Sequence, residues 1–167
     1  MYIVKAALLV AGLFLLDGIY DYQLTDINGN TINMSDFQGK KILIVNTATN
    51  SKYAGQYASL EQLYQTYSDS LVVIAVPSNS FGNEPNSDDS IKTYVMNTYN
   101  IHYILTSQLN VVGDSSAPLF QWLEANNQSP NNDFCKILIS DSGQVIGAFD
   151  GSVDPMDPMI QDMIKNQ

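Results

Sequence analysis

Apolar and polar residues follow one another in patterns that outline an α/β chain. "KILIVNTA" and "LVVIAV" are nearly continuous apolar runs rich in β-branched residues, which is typical of central strands buried on both faces. Between these runs, tyrosine and leucine recur at helical spacing, at Tyr57, Leu60, Leu63, Tyr64 and Tyr67. The order strand, helix, strand predicts a βαβ crossover and therefore a parallel pair of strands.

The segments on either side of this crossover extend the pattern. "YDYQLTDINGNTINM" alternates around Asn28-Gly29, a dipeptide that suits a tight hairpin turn. "SDDSIKTYVMNTY" predicts a helix with Ser87 as its N-cap, and "APLFQWLEAN" predicts another short helix. "FCKILIS" and "QVIGAF" predict two further strands, and "DPMIQDMIKN" predicts a last helix capped near Asp157.

The first eighteen residues differ from the rest of the chain. Lys5 precedes an unbroken apolar run from Ala6 to Leu16, which suits the core of a signal peptide and is too short for an ordinary membrane span. We therefore expect a signal peptide over residues 1–18, a single domain over residues 19–167, and export to a periplasm or the outside of the cell. A buried first strand or a short anchor, in a protein that stays in the cytoplasm, is the alternative.

Composition narrows the classes of partner. The 167 residues are 45% hydrophobic and 14% charged, which is typical of a globular chain, and the net charge of −10 argues against nucleic acid or an anionic membrane surface. All seven basic residues are lysines, so the chain has no arginine to bind a phosphate or carboxylate through two bonds. Cys135 is the only cysteine, so no internal disulfide can form.

Four segments resemble the glutathione peroxidase family. "LIVNTATNSKYAGQYASLEQLYQTY" is similar, without a gap, to the family's "LIVNVASKCG" and the helix that opens "PQY". "VPSNSFGNEP" resembles "FPCNQFGGQEP" less one residue, "NVVGDSSAPLFQWL" resembles the "DVNG" segment and the proline-initiated helix after it, and "NNDFCKILISDSGQVIGAF" resembles "WNFTKFLVDRNGNVVGRF". The resemblance implies a thioredoxin-like α/β fold, with a central mixed β-sheet flanked by helices and an N-terminal β-hairpin.

The same resemblance implies where the family's chemistry would lie. Its nucleophile, a cysteine or selenocysteine, falls on Ser51, and the glutamine, tryptophan and asparagine that surround it fall on Ser80, Asn132 and Asp133. A serine has no oxidised state that a second thiol could recover, and a carboxylate at position 133 would repel an anion. The resemblance therefore implies a family member that has lost its peroxidase chemistry and acts as a binding or interaction module for an unknown partner.

An enzyme remains the alternative. Cys135 lies two residues beyond Asp133 on the same predicted strand, where side chains share a face, so we expect it near Ser51 as a substitute thiol. The protein would then reduce hydroperoxides with thioredoxin or glutathione as the reductant. The competing interpretation is that Cys135 is a buried small apolar residue, which is the usual role of a lone cysteine in an apolar strand.

Other chemistries find less support in the sequence. Ser51 and His102, the only histidine, could belong to a hydrolase, but "ATNSKYA" lacks the G-x-S-x-G elbow. "DINGNT" has its glycine at the fourth position, which suits a hairpin and not a calcium loop, and no spacing of histidine and cysteine indicates zinc. We expect no metal and no cofactor.

Overall fold

The computed structural model describes residues 18–166 as a β-sheet flanked by helices. The predicted signal peptide falls almost wholly on residues 1–17, outside the described residues. Short 3-10 helices span Ile19–Asp21 and Met34–Phe37, and the remaining elements, in chain order, are β1 (Gln23–Thr25), β2 (Thr31–Asn33), β3 (Lys41–Thr47), α1 (Gln56–Tyr67), β4 (Leu71–Pro77), α2 (Asp88–Tyr99), β5 (Ile104–Leu105), α3 (Pro118–Ala125), β6 (Lys136–Ile139), β7 (Val145–Phe149) and α4 (Pro158–Lys165).

The central sheet is mixed, as the resemblance implied. Its five strands lie in the order β5-β4-β3-β6-β7, with β3, β4 and β5 parallel and both β6 and β7 in antiparallel pairings. Ile44 of β3 lies opposite Ile74 of β4 on one side and Ile137 of β6 on the other. The predicted βαβ crossover is confirmed, because α1 connects the parallel strands β3 and β4.

Alternate residues of the sheet face two separate layers of the core. Leu43 and Val45 pack with buried residues of α1, α2 and α4, whereas Ile42 and Ile44 pack with residues of α3 and the N-terminal segment. All seven residues of β3 are buried, which explains why the strand reads as a continuous apolar run. Helices therefore cover both faces of the sheet.

The predicted hairpin and helix caps are confirmed. Strands β1 and β2 pair antiparallel around Gly29, whose φ of +89° is a conformation that glycine adopts without steric cost. Ser87 Oγ accepts a hydrogen bond from the amide of Ser90 at the start of α2, and the carboxylate of Asp157 accepts one from Met159 N at 2.9 Å at the start of α4. These side chains satisfy amides that a helix leaves unpaired in its first turn.

Two strand predictions need correction. Strand β5 is not among the predicted strands, because two residues are too few to produce a recognisable alternation. The prediction that Asp133 and Cys135 share one face of a strand is wrong, since β6 begins only at Lys136. Between them Phe134 adopts a φ of +60°, which breaks the extended backbone on which two-residue alternation depends.

Two buried lysines form hydrogen bonds between the sheet and distant parts of the chain. Lys41 Nζ, at the start of β3, donates to the carbonyls of Ile164 and Asn166 at 2.8 Å each and so holds the end of α4. Lys136 Nζ, at the start of β6, donates to the carbonyls of Gly151 and Val153. Burial lowers the pKa of Lys136 to about 8, and the nearby Cys135, Asp154 and Asp150 partly oppose this shift.

The lowered pKa of Lys136 predicts a stability that depends on pH. Between about pH 8 and the ordinary lysine value of 10.5, the unfolded chain binds the proton that the folded chain has lost, so the free energy of unfolding rises with pH in that window. Urea denaturation at each pH gives the free energies of unfolding of the wild type and of Lys136→Met. We expect the wild-type value minus the variant value to rise by about 2 kcal/mol between pH 8 and pH 10.5. A difference that stays constant across the window would contradict the prediction.

Candidate functional site

Ser51 lies in the turn that connects β3 to α1. Its amide donates to Ala48 O at 3.2 Å, and its carbonyl accepts from Ala54 N at 3.0 Å, which closes two successive tight turns. Its hydroxyl oxygen accepts a hydrogen bond from Tyr53 N at 3.2 Å. Helix α1 begins only at Gln56, so the Ser51 side chain belongs to the turn and is 8% exposed at its surface.

The turn forms one wall of a cleft of about 390 Å³. The loop after β4 and the segment before β6 form the other walls. The residues that line the cleft are Asn50, Ser51, Lys52, Tyr53, Phe81, Asn83, Asn132 and Asp133. The structure thus brings together three of the four positions that the resemblance assigned to the family's chemistry.

Ser80, the fourth of these positions, does not line the cleft. Its hydroxyl oxygen accepts hydrogen bonds from Val111 N at 3.0 Å and from the hydroxyl of Ser78 at 2.9 Å. The Ser80 side chain therefore joins the end of β4 to the segment before α3. Phe81 and Asn83 are the residues of the loop after β4 that line the cleft.

Asp133 is the buried charged group of the cleft and is only 4% exposed. Its Oδ2 accepts a hydrogen bond of 2.6 Å from Asn83 Nδ2. Its Oδ1 is buried and has no hydrogen-bond partner among residues 18–166. Such a carboxylate disfavours a second negative charge beside it, because little water is present to screen the repulsion.

The side chain of Asn132 forms hydrogen bonds at the boundary of the cleft through both its oxygen and its nitrogen. Its Oδ1 accepts from Gly151 N at 3.2 Å and from Cys135 Sγ at 3.1 Å, and its Nδ2 donates to Asp150 at 2.9 Å. A Cβ atom at Gly151 would lie 2.0 Å from the carbonyl oxygen of Asp133. Gly151 is therefore needed for the close approach of the two segments.

Cys135 faces a different cavity from Ser51. It is 7% exposed, and its thiol lies 3.2 Å from Asn131 Oδ1 as well as 3.1 Å from Asn132 Oδ1. It lines a cavity of about 200 Å³ that it shares with Lys136 and Asp150 and that contains none of the cleft residues. Cys135 thus contacts Asn132 at the boundary of the cleft, but its own side chain does not line the cleft.

Sequence reasoning missed two residues that shape the cleft. Asn83 supplies the donor to Asp133, and Glu84, 1% exposed, accepts hydrogen bonds from Thr49 N at 2.6 Å and Thr49 Oγ1 at 2.7 Å. The Glu84 carboxylate thereby ties the loop after β4 to the turn that carries Ser51. Their place in the "FGNEP" segment was the only available signal, and it does not reveal their contacts.

The hydrolase alternative receives no support from the position of His102. Its Nδ1 lies 2.7 Å from Glu61 Oε1, and its amide donates to Glu61 Oε2 at 2.8 Å, so this histidine joins the segment before β5 to α1. It does not line the cleft that contains Ser51.

Within residues 18–166, no group of three or more His, Cys, Asp or Glu side chains is placed to hold a metal ion, and no helix is both long and apolar enough to cross a bilayer.

Solved structures with the same architecture define the class of fold. The crystal structure of Trgpx in apo form superposes with a TM-score of 0.72 at 29% identity, covering 89% of this chain and 94% of that one. A thiol:disulfide interchange protein of the thioredoxin family from Chlorobium tepidum superposes with a TM-score of 0.67 at 16% identity, covering 86% of this chain and 90% of that one. The fold is thioredoxin-like.

Sequence similarity identifies the family within that class. Residues 19–124 match the family model for glutathione peroxidase. A glutathione peroxidase-like peroxiredoxin of Schizosaccharomyces pombe is 34% identical over 143 residues, covering 81% of this chain and 90% of that protein. A glutathione peroxidase of Lactococcus lactis is 32% identical over 143 residues, covering 81% of this chain and 91% of that protein. The chain belongs to the glutathione peroxidase family.

The contact at Gly151 predicts a strong local effect on stability. Gly151→Ala would force a methyl group against the backbone of Asp133, so we expect the free energy of unfolding to fall by at least about 2 kcal/mol. Gly55→Ala is the matched control, because a Cβ there meets nothing within 4 Å. Urea denaturation of both variants measures the effect, and equal stabilities would contradict the prediction.

Proposed function

We propose that this protein is a catalytically inactive member of the glutathione peroxidase family that acts as a binding or interaction module. The observation that carries the proposal is the chemistry of the cleft, where a hydroxyl at Ser51 lies with the buried carboxylate of Asp133 and none of the lining residues is a cysteine. The chain has the fold of the family, while no residue that lines the cleft supplies a thiol to react with a peroxide.

Ser51 lacks the chemistry that a peroxidase cycle needs. A thiolate attacks the peroxide oxygen and becomes a sulfenic acid, which a second thiol then reduces. An alcohol oxygen has no corresponding oxidised state, so even a deprotonated serine could not enter the cycle. The hydroxyl of Ser51 accepts a hydrogen bond from Tyr53 N, which suits a structural role in the turn.

The second candidate is a thiol peroxidase that uses Cys135. The observation in its favour is that the thiol lines a cavity together with Lys136, whose ammonium group could stabilise a thiolate. Against it, Cys135 is only 7% exposed, and the side-chain oxygens of Asn131 and Asn132 lie within 3.2 Å of its sulfur, so little of the thiol is accessible to a peroxide. As the only cysteine, it would also depend on an external thiol such as glutathione or thioredoxin.

A peroxide assay separates the two candidates. Reduced protein is mixed with hydrogen peroxide or an organic hydroperoxide, with glutathione and thioredoxin tested separately as reductants, and peroxide consumption is followed. We expect the wild type to be no faster than Cys135→Ser, because neither Ser51 nor the enclosed thiol supports turnover. Turnover that Cys135→Ser abolishes would contradict the proposal and establish the second candidate.

Replacing Ser51 by cysteine tests the electrostatics of the cleft. In a Cys135→Ser background, the new thiol of Ser51→Cys should have a higher pKa than the same thiol in a variant that also carries Asp133→Asn, because the carboxylate repels the thiolate. We expect a difference of about one pH unit. The pH dependence of alkylation by iodoacetamide measures both pKa values, and coincident profiles would show that Asp133 does not act on the Ser51 position.

A further inference from the structure

The cleft contains a buried carboxyl group, that of Asp133, without a positive partner. Within residues 18–166 the ion pairs are His102–Glu61 and Lys165–Asp162, so Asp133 has no cationic neighbour at ion-pair distance. One of its oxygens accepts from Asn83, and the other, Oδ1, has no hydrogen-bond partner in the same part of the chain. An unpaired buried acceptor is costly, and a bound group that donates to it would recover that cost.

We propose that this cleft binds a primary ammonium group, with Asp133 as the residue that receives it. The inference rests on the proposed function, because it names the chemistry that the binding module would recognise. An ammonium group has three donors and no acceptor, which matches an ionised carboxylate with a free oxygen. Asp133 and Ser51 line the same cleft, and the Ser51 oxygen keeps a second lone pair beside its bond from Tyr53 N.

The single free oxygen favours an ammonium group over a guanidinium group. A guanidinium binds a carboxylate best through two parallel bonds, one to each oxygen. At Asp133 the amide of Asn83 already occupies Oδ2 at 2.6 Å, so a guanidinium could form only one of the two bonds. An ammonium group needs only one carboxylate oxygen. The cleft therefore favours an ammonium group over a guanidinium group.

The remaining charges and walls of the cleft agree with a cationic ligand. Tyr53 and Phe81 line it, and they can pack against an alkyl stem. Lys52 is the one cation in the lining, and its Nζ lies 4.8 Å from the centre of the Tyr53 ring. The net charge of −10 attracts cations over a longer range. Lys52 thus competes with a ligand ammonium group and does not neutralise Asp133 at ion-pair distance.

The test is a titration of the folded, nitrogen-15-labelled protein with n-butylamine, followed by two-dimensional NMR. We expect saturable shifts of the amides of Ser51, Asn83 and Asp133, weaker binding of n-butylguanidinium, and no binding of n-butyrate. Asp133→Asn should weaken n-butylamine binding by about tenfold or more, because it removes the charge and retains the shape. Lys52→Ala should bind n-butylamine as tightly as the wild type or more tightly.

Further ligands identify the source of the ammonium group. Tighter binding of putrescine than of a lysine-containing peptide supports a free amine as ligand, and the reverse order supports a lysine side chain of a protein partner. Equal affinity of the wild type and a folded Asp133→Asn variant for n-butylamine would overturn the inference. So would the absence of saturable shifts, a preference for n-butyrate, or weaker n-butylamine binding by Lys52→Ala, which would indicate an anionic ligand.

The outcomes are independent of those of the peroxide assay. Peroxide turnover through Cys135 would contradict the proposed function, while the affinity of the cleft for an amine would still be measured at Asp133. Conversely, failure of amine binding would leave the loss of peroxidase chemistry standing, because that proposal depends on the groups at Ser51 and Cys135.

Discussion

The pairing of β3 on both of its edges is the constraint on which the site depends. Strand β4 lies parallel to β3 and β6 lies antiparallel to it, so the end of β3, the end of β4 and the start of β6 meet at one edge of the sheet. The segments that continue from these three strand ends carry Ser51, Asn83 and Asp133. The cleft is therefore a direct result of strand topology, and its position does not depend on which side chains occupy it.

The contacts that hold the walls of the cleft are separate from the side chain at position 51. The carboxylate of Glu84 holds the loop after β4 against Thr49, and Gly151 allows a close approach to the segment before β6. Neither contact involves the side chain of Ser51. The walls of the cleft are thus held by contacts that do not depend on the residue at position 51, while Asp133 supplies the buried carboxyl group inside.

Sequence reasoning predicted those features that produce long periodic patterns. The buried strands β3 and β4, the helices with their Ser87 and Asp157 caps, and the turn at Gly29 were all identified, because burial and capping restrict residue type over several positions. The direction of the Cys135 side chain was predicted wrongly, because a single backbone angle determines it. The φ of +60° at Phe134 directs Cys135 away from the cleft, and nothing in the letters "DFCK" predicts a left-handed phenylalanine.

The contacts of single polar side chains were also beyond prediction. Ser80 and Asn83 lie on the same loop, yet the first bonds to Val111 N and the second reaches Asp133. Their types allow either arrangement, since both can donate and accept hydrogen bonds. Only the three-dimensional path of the loop distinguishes a side chain that supports the strand end from one that enters the cleft.

The bonds of Lys41 have a consequence for the order of events during synthesis. This lysine opens β3, but the carbonyls that receive its ammonium group belong to Ile164 and Asn166, at the other end of the described chain. Until the ribosome releases those residues, the charge of Lys41 must stay in water, and β3 waits for β6 to cover its second edge. The strand at the centre of the sheet therefore receives some of its buried contacts only from residues that are synthesised near the end of the domain.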